Sequence, residues 1–241
     1  MEKTVPDQET NLILASLPPN DYQRLLPHLE PVVLEHAKVI YEIDEPIQYV
    51  YFPLRSVISL VTQMEDGKII EIALVGREGM SGMAALLGEH KSGERAIVNL
   101  PDSALRAKTK IIKDEFNRGG TLQKSLLNYA YALMPQVSQT AACNTAHTAE
   151  ERLCRWLLMC QDRVQSDHLE LTQEFIAEML GTRRATVNVA AITLQSADLI
   201  KYNRGRITIT DQAGLEAFAC ECYQSLKRSD GGTQALRPSV S

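Results

Sequence analysis

Apolar residues change their spacing several times along this chain, and each change marks a different element. Leu12, Leu14 and Leu17 precede a Pro18-Pro19 break, after which Asn20 or Asp21 can cap a segment holding Tyr22, Leu25 and Leu26. Residues 12–30 therefore read as one or two short helices. From Val32 the period shortens to β-branched and aromatic runs parted by turn residues about every ten positions, the pattern of an all-β sandwich or barrel. The clearest hairpin is SVISLVTQM and KIIEIALV around Asp66-Gly67. Further strands start at Arg95 (RAIVNLP) and Ser103 (SALRAKTK), and about eight strands are expected in all.

A helical run then spans about Thr121 to His147. Leu126, Ala130, Leu133, Val137, Thr140 and Asn144 recur along it at alternating steps of four and three. Two readings fit this stripe: a helix lying on its own barrel, or one that pairs with its copy in a second subunit. Pro135 lacks a backbone donor, so a kink or break is expected near Leu133 and Met134. After it, AEERLCRWLLMCQDRV places Leu153, Trp156, Leu157 and Cys160 on one face, and Thr148 with Glu151 fits a capping box.

Residues 171–195 read LTQEFIAEMLGTRRATVNVAAITLQ. Thr172 can cap a short helix with Phe175, Ile176, Met179 and Leu180 on its apolar face, and Gly181 supplies a tight turn. A second helix, opened by Thr182 or Arg183, would bury Val187, Ala190, Ala191 and Leu194. Its other face would expose Arg183, Arg184, Ala185, Asn188 and Val189. A helix-turn-helix offers base-reading residues in this way, with the start of its second helix in the major groove, where arginine can bond bidentately to guanine. Helix pairs of this kind also occur in ordinary helical cores, but here DLIKYNRGRITITD follows, two short strands around Asn203-Arg204-Gly205 that form the wing of a winged helix. Arg183, Arg184, Thr186 and Asn188 are the expected base-contacting set, with Ala185 or Val189 against a thymine methyl. Thr172 and Gln173 are placed at the same interface, and Arg204 and Arg206 on phosphates. The tail RSDGGTQALRPSVS shows no periodicity and reads as disordered.

Charge sharpens this picture. The whole chain of 241 residues carries a net −5, yet Arg183 to Arg206 holds five cations against the single acid Asp198, a local +4. Such asymmetry is what phosphate contact requires. The partner expected is double-stranded DNA, with a protein partner for the winged helix as the alternative. No stretch approaches the ~20 apolar residues of a membrane span, and MEKTVPDQETN lacks the basic flank and apolar run of a signal peptide. Five cysteines (Cys143, Cys154, Cys160, Cys220, Cys222) form no C-x-x-C pair, arguing against a disulfide framework or a zinc ribbon. Together these features give the expectation of a cytoplasmic protein. Cys154 and Cys160 read as core fillers. Cys220 and Cys222 form a C-x-C with no histidine nearby in the sequence, so no metal site is expected. Catalysis is not expected either: a cupin-type enzyme needs clustered histidines, and the barrel segment offers only His36 and His90, far apart.

AEERLCRWLL, LTQEFIAEMLGTRRATV and YVYFPLRSVISLV…VGREGMSG together resemble the Crp/Fnr family of bacterial transcription regulators, over about residues 12–222. The resemblance implies an α+β chain: an N-terminal β jelly-roll barrel of the cyclic-nucleotide-binding type (1–120), a long dimerisation helix (121–148) and a C-terminal winged helix-turn-helix (149–225), ahead of the tail (226–241). It implies a homodimer reading an inverted repeat, and contact with RNA polymerase if the protein activates. In members that bind cyclic AMP, a Gly-Glu-x-Gly turn holds the ribose and an Arg-Ser pair meets the phosphate. Here those positions are Gly79-Met80-Ser81-Gly82 and Arg95-Ala96. Met80 cannot accept the ribose hydroxyls, and each unmet bond costs roughly 1–3 kcal/mol, which argues against cyclic AMP and leaves three readings of these residues: a pocket for another small molecule, a site that responds to a partner, or part of a vestigial structural barrel. Arg95 can equally be a strand-end arginine paired with Glu94 or Asp102. No cysteine precedes Cys143, which argues against an iron–sulfur cluster, and the isolated His28 and His36 give no haem signature. The family's well-known reader carries an Arg-Glu pair where Arg184-Ala185 stand and a second arginine at Val189, so a different half-site is expected.

Overall fold

The computed structural model describes residues 11–88 and 91–234; the N-terminal stretch, His90 and the last part of the tail lie outside the described residues. The chain opens with α1 (Leu12–Ala15), α2 (Pro19–Leu25) and a 3-10 turn (Leu26–His28). Asn11 caps α1 by accepting from the amides of Ile13 and Leu14, while its own amide donates to the carbonyls of Pro53 at 3.0 Å and Gly79 at 2.9 Å. One buried side chain thus starts a helix and pins it to the sheet.

The β-rich part comprises β1 (Glu30–Leu34), β2 (Val39–Tyr41), β3 (Tyr49–Pro53), β4 (Val57–Gln63) and β5 (Ile69–Val75), then α3 (Ala84–Leu87), β6 (Arg95–Leu100) and β7 (Asp102–Lys108). Two antiparallel sheets result, in orders β1-β7-β3 and β2-β6-β4-β5. Seven strands, not about eight, make up these sheets among the described residues. The β4–β5 hairpin turns where expected, with Gly67 at φ +83°.

Alternation along the strands gives the four-stranded sheet two buried faces. Ile58, Leu60, Ala96 and Val98 point into the barrel core with Val50, Phe52 and Leu105. Val57, Val61, Leu74, Ile97 and Leu100 point the other way, into a second core shared with the C-terminal helices.

After α4 (Thr109–Asn117), α5 (Thr121–Ala146) runs without interruption through Pro135, where a kink or break was expected. Leu122, Leu126 and Tyr129 sink into the barrel core. Gln136 bonds through its side-chain amide to both backbone groups of Leu74, at 2.6 and 3.3 Å, satisfying part of the open edge of β5. The heptad stripe needs a correction. Leu126 is fully buried and Thr140 is buried too, so they face the chain's own body. The apolar residues left outside are Leu127, Tyr131 (73% exposed), Met134 (65%) and Val137. With Ala141 and Thr145, also exposed, this outer stripe lies one position on from most of the predicted one.

α6 (Ala149–Val164) begins at the capping box, Thr148 Oγ1 accepting from the Glu151 amide and Glu151 accepting from the Thr148 amide at 2.8 Å. Leu153, Trp156, Leu157 and Cys160 are all buried. β8 (His168–Glu170), α7 (Gln173–Met179), α8 (Arg184–Ser196), β9 (Ile200–Asn203), β10 (Arg206–Ile209), α9 (Gln212–Phe218) and α10 (Cys222–Gln234) complete the chain. The tail expected to be disordered from 226 is therefore helical to Gln234: Leu226 is buried in the second core and α10 packs on α5.

Candidate nucleic-acid interface

Thr172 caps α7 by accepting from the Phe175 amide at 3.2 Å. The helix ends at Gly181, whose φ of +58° suits glycine, and a Cβ there would lie 3.0 Å from Ile70 on β5. The turn thus both reverses the chain and lets the helix pair approach the barrel. Arg152 of α6 donates to the Leu180 carbonyl, filling a free acceptor at the end of α7.

Arg184 is the first residue of α8, and Arg183 holds the N-cap position in extended conformation. Val187, Ala190, Ala191 and Leu194 are buried as expected, and Arg183, Arg184, Ala185, Asn188 and Val189 are exposed. Ile192, which the periodicity did not single out, is also exposed on this helix. The wing is more than the two strands expected: β8 joins it, in order β8-β10-β9. Its tip has positive φ at both Arg204 (+48°) and Gly205 (+79°), a type I′ turn that matches the twist of the flanking strands and lifts Arg204 into solvent. Tyr202 donates to the Leu171 carbonyl at 2.8 Å, and the Leu171 amide donates to Gly205, fastening the wing to the entry of α7.

A groove of about 630 Å³ between the helix pair and the wing gathers Thr172, Gln173, Arg184, Asn188 and Arg204. Gln173 donates to Asn188 at 3.0 Å, while Arg184 and Arg206 reach the exposed carboxylates of Glu174 (3.9 Å) and Glu170 (3.6 Å). Such solvent-exposed pairs contribute little to stability. Arg183, Arg184 and Thr186 also line a larger cleft, about 1240 Å³, whose opposite wall is the β4–β5 turn at Asp66, Gly67 and Lys68.

Residues 151–218 match the Crp-like helix-turn-helix domain. The chain carries a Crp-like helix-turn-helix domain and is a DNA-binding transcription regulator. It is 26% identical over 191 residues to a global nitrogen regulator of Nostoc sp., covering 74% of this chain and 85% of that one. The corresponding regulator of Synechocystis sp. is 24% identical over 207 residues, covering 80% and 92%. In fold the regulator is similar to FixK2 from Bradyrhizobium japonicum (TM-score 0.67, 17% identity, 80% of this chain and 98% of that one). A putative Crp/Fnr-family regulator from Eubacterium rectale gives a TM-score of 0.65 at 17% identity, covering 84% and 94%.

The regulator gathers its candidate effector residues at the barrel core except for Arg95. Gly79, Met80, Ser81 and Gly82 are buried, with Met80 in the barrel core and Ser81 Oγ 3.2 Å from the Tyr41 hydroxyl. A Cβ on Gly79 would fall inside the ring of Tyr129 from α5, and one on Gly82 would press on Val50. Ala96 faces the same core. Arg95, its neighbour on the strand, emerges on the opposite face, where it lines the cleft beside α8. It pairs with Glu42 at 2.6 Å and Gln63 at 3.2 Å, not with Glu94 or Asp102. The cysteine reading also needs correction. Cys154 and Cys160 fill core space as expected, but the Cys220/Cys222 pair has a histidine beside it: His147 Nδ1 lies 3.6 Å from Cys222 Sγ. Cys143 and His147 stand one helical turn apart at the end of α5, a C-x-x-x-H spacing legible in the sequence beside the distant C-x-C.

Proposed function

We propose that the regulator reads an inverted-repeat DNA site as a homodimer, inserting the start of α8 of each subunit into the major groove. The observation carrying this reading is the exposure of Arg183, Arg184 and Asn188 on one helix end, flanked by the wing cations Arg204 and Arg206. Arg184 and Asn188 supply base-edge donors and acceptors, and Val189 and Ile192 meet thymine methyls. The wing cations hold phosphates. Dimerisation uses the outer face of α5 at Leu127, Tyr131 and Met134, continuous apolar surface of the kind that marks interaction sites.

Signals reach this surface through contacts between the barrel and α6. Trp156 Nε1 donates to Glu71 at 2.8 Å, and Arg163 pairs with Glu78 at 2.9 Å, one residue before Gly79. An effector that moves the 76–79 turn would pull on α6 directly. Cyclic AMP is not that effector in this reading, because the ribose-binding position is a buried methionine and Arg95 faces away from the turn. Selection from random duplexes tests the proposal. The expected product is a two-fold symmetric site with half-sites about 34 Å apart, bound with steep loss of affinity in salt. Recovery of asymmetric sequences alone, or salt-independent binding, would sink it.

A further inference from the structure

Four side chains outside the DNA-reading surface converge where α5 ends and α10 begins. The ligand atoms of Cys143, His147, Cys220 and Cys222 all lie within 4.8 Å of one another. All three thiols are buried, and the His147 side chain is 16% exposed. Cys143 Sγ stands 3.5 Å from Cys220 Sγ, and Cys222 Sγ stands 3.6 Å from His147 Nδ1. A tetrahedral zinc ion, with Zn–S about 2.3 Å and Zn–N about 2.0–2.1 Å, separates neighbouring ligand atoms by about 3.6–3.8 Å. The cluster has the size of one ion. A multi-iron cluster would hold its thiolates farther apart, and a disulfide would bring two sulfurs to about 2.05 Å.

The surroundings suit a metal as well. His147 turns its other nitrogen, Nε2, to the Glu221 carboxylate at 3.2 Å. A proton held there leaves the Nδ1 lone pair facing the thiols, the carboxylate–histidine arrangement that orients metal-bound imidazoles. Gln139 donates its side-chain amide to Cys222 Sγ at 2.9 Å, a bond that favours thiolate over thiol. Three thiolates around a divalent ion leave one negative charge in a buried place, and the buried Arg155 and the half-buried Arg152 stand close enough to offset it.

We propose that Cys143, His147, Cys220 and Cys222 form a closed, four-coordinate structural zinc site, with Glu221 orienting His147. Soft thiolate ligands with one imidazole select zinc over hard cations, and four protein ligands leave no open position for catalysis. The site would clamp the segment between α9 and α10 to the last turn of α5, beside the His147–Thr148 junction from which the DNA-binding helices depart. Metal content is independent of DNA binding, so this site and the DNA-reading proposal stand or fall separately.

The test uses the full chain purified under reducing conditions without chelator. Elemental analysis should find one zinc per chain. Protein stripped of metal and given Co²⁺ should develop the intense visible bands of a tetrahedral ion together with sulfur-to-cobalt charge transfer. Cys222→Ser should lose those charge-transfer bands in large part. Should that variant fail to fold, Glu221→Gln, altering an exposed side chain, should still weaken zinc by about 10–100-fold in competition with a chromogenic chelator. Metal-free protein that takes up no cobalt overturns the proposal, as does unchanged zinc affinity in Glu221→Gln.

Discussion

Glu71 carries a carboxylate from β5 into the packing beneath α6, where it accepts from Ser59 at 2.5 Å and from Trp156 at 2.8 Å. Burial pushes its pKa from an ordinary 4.5 up to about 7, against the pull of those two donors and of Arg155 and Arg163. Because the folded value is the higher, folding takes up a proton between the two. Stability from this group is complete below about pH 4.5 and is lost as pH rises through about 7, a swing of about 3 kcal/mol. Glu71→Gln keeps an acceptor for Trp156 and removes the titration. Urea unfolding at pH 5 and pH 8 should show the variant gaining on the parent at the higher pH; an equal offset at both would show that Glu71 does not titrate in this range. At the reading surface, Arg184→Ala should cost about 1–3 kcal/mol on the preferred site and relax its base preference. Equal weakening on every sequence would make Arg184 a phosphate contact instead. Gly181→Ala combines a left-handed backbone with the wall of Ile70, so a loss of about 1–3 kcal/mol is expected by thermal unfolding, and no loss would show that the turn relaxes freely.

Among the elements, α5 bears the most weight. Its inner side is committed to the barrel through Leu126 and Tyr129 and to the β5 edge through Gln136, so only its outer side is free for a partner. Tyr131→Glu combined with Met134→Glu places charge on that free side without touching the core. Sedimentation at micromolar concentration should then report a monomer where the parent is a dimer, with far-ultraviolet dichroism unchanged. A dimer that survives both changes would move the interface elsewhere. The wing makes the complementary case: its I′ turn needs two residues of positive φ, and Arg204 accepts that strain at the exposed tip, where the proposed function has it meet a phosphate. Arg204→Asn suits the turn better and removes the charge. Fold stability should hold or rise while the slope of log affinity against log salt shrinks by about one contact.

For the molecule as a whole, the barrel and the DNA-reading part share a continuous second core rather than hanging from a flexible link. Trp156, Leu74 and Ile97 lie in it together, and the Glu71 and Arg163 contacts cross it. Much of this was legible along the sequence. The alternation of strands, the Asp66-Gly67 turn, the capping box, the helix-turn-helix pair and the wing hairpin each depend on residues a few positions apart, and local propensities and capping bonds decide them. The third wing strand and the helical start of the tail escaped because each is held by distant partners, β10 for one and α5 for the other. The same reason explains what only tertiary structure decided. A periodic stripe states that a helix has a face, but the rotation of that face by one residue depends on what the barrel offers it, and so Leu127, Tyr131 and Met134 stand outside in place of Leu126. Neighbours on one strand point to opposite sides, so Ala96 joined the barrel core while Arg95 left it. Cys143 and Cys222 are far apart in sequence, and nothing short of packing α10 against α5 could bring their sulfurs and the His147 ring to one point.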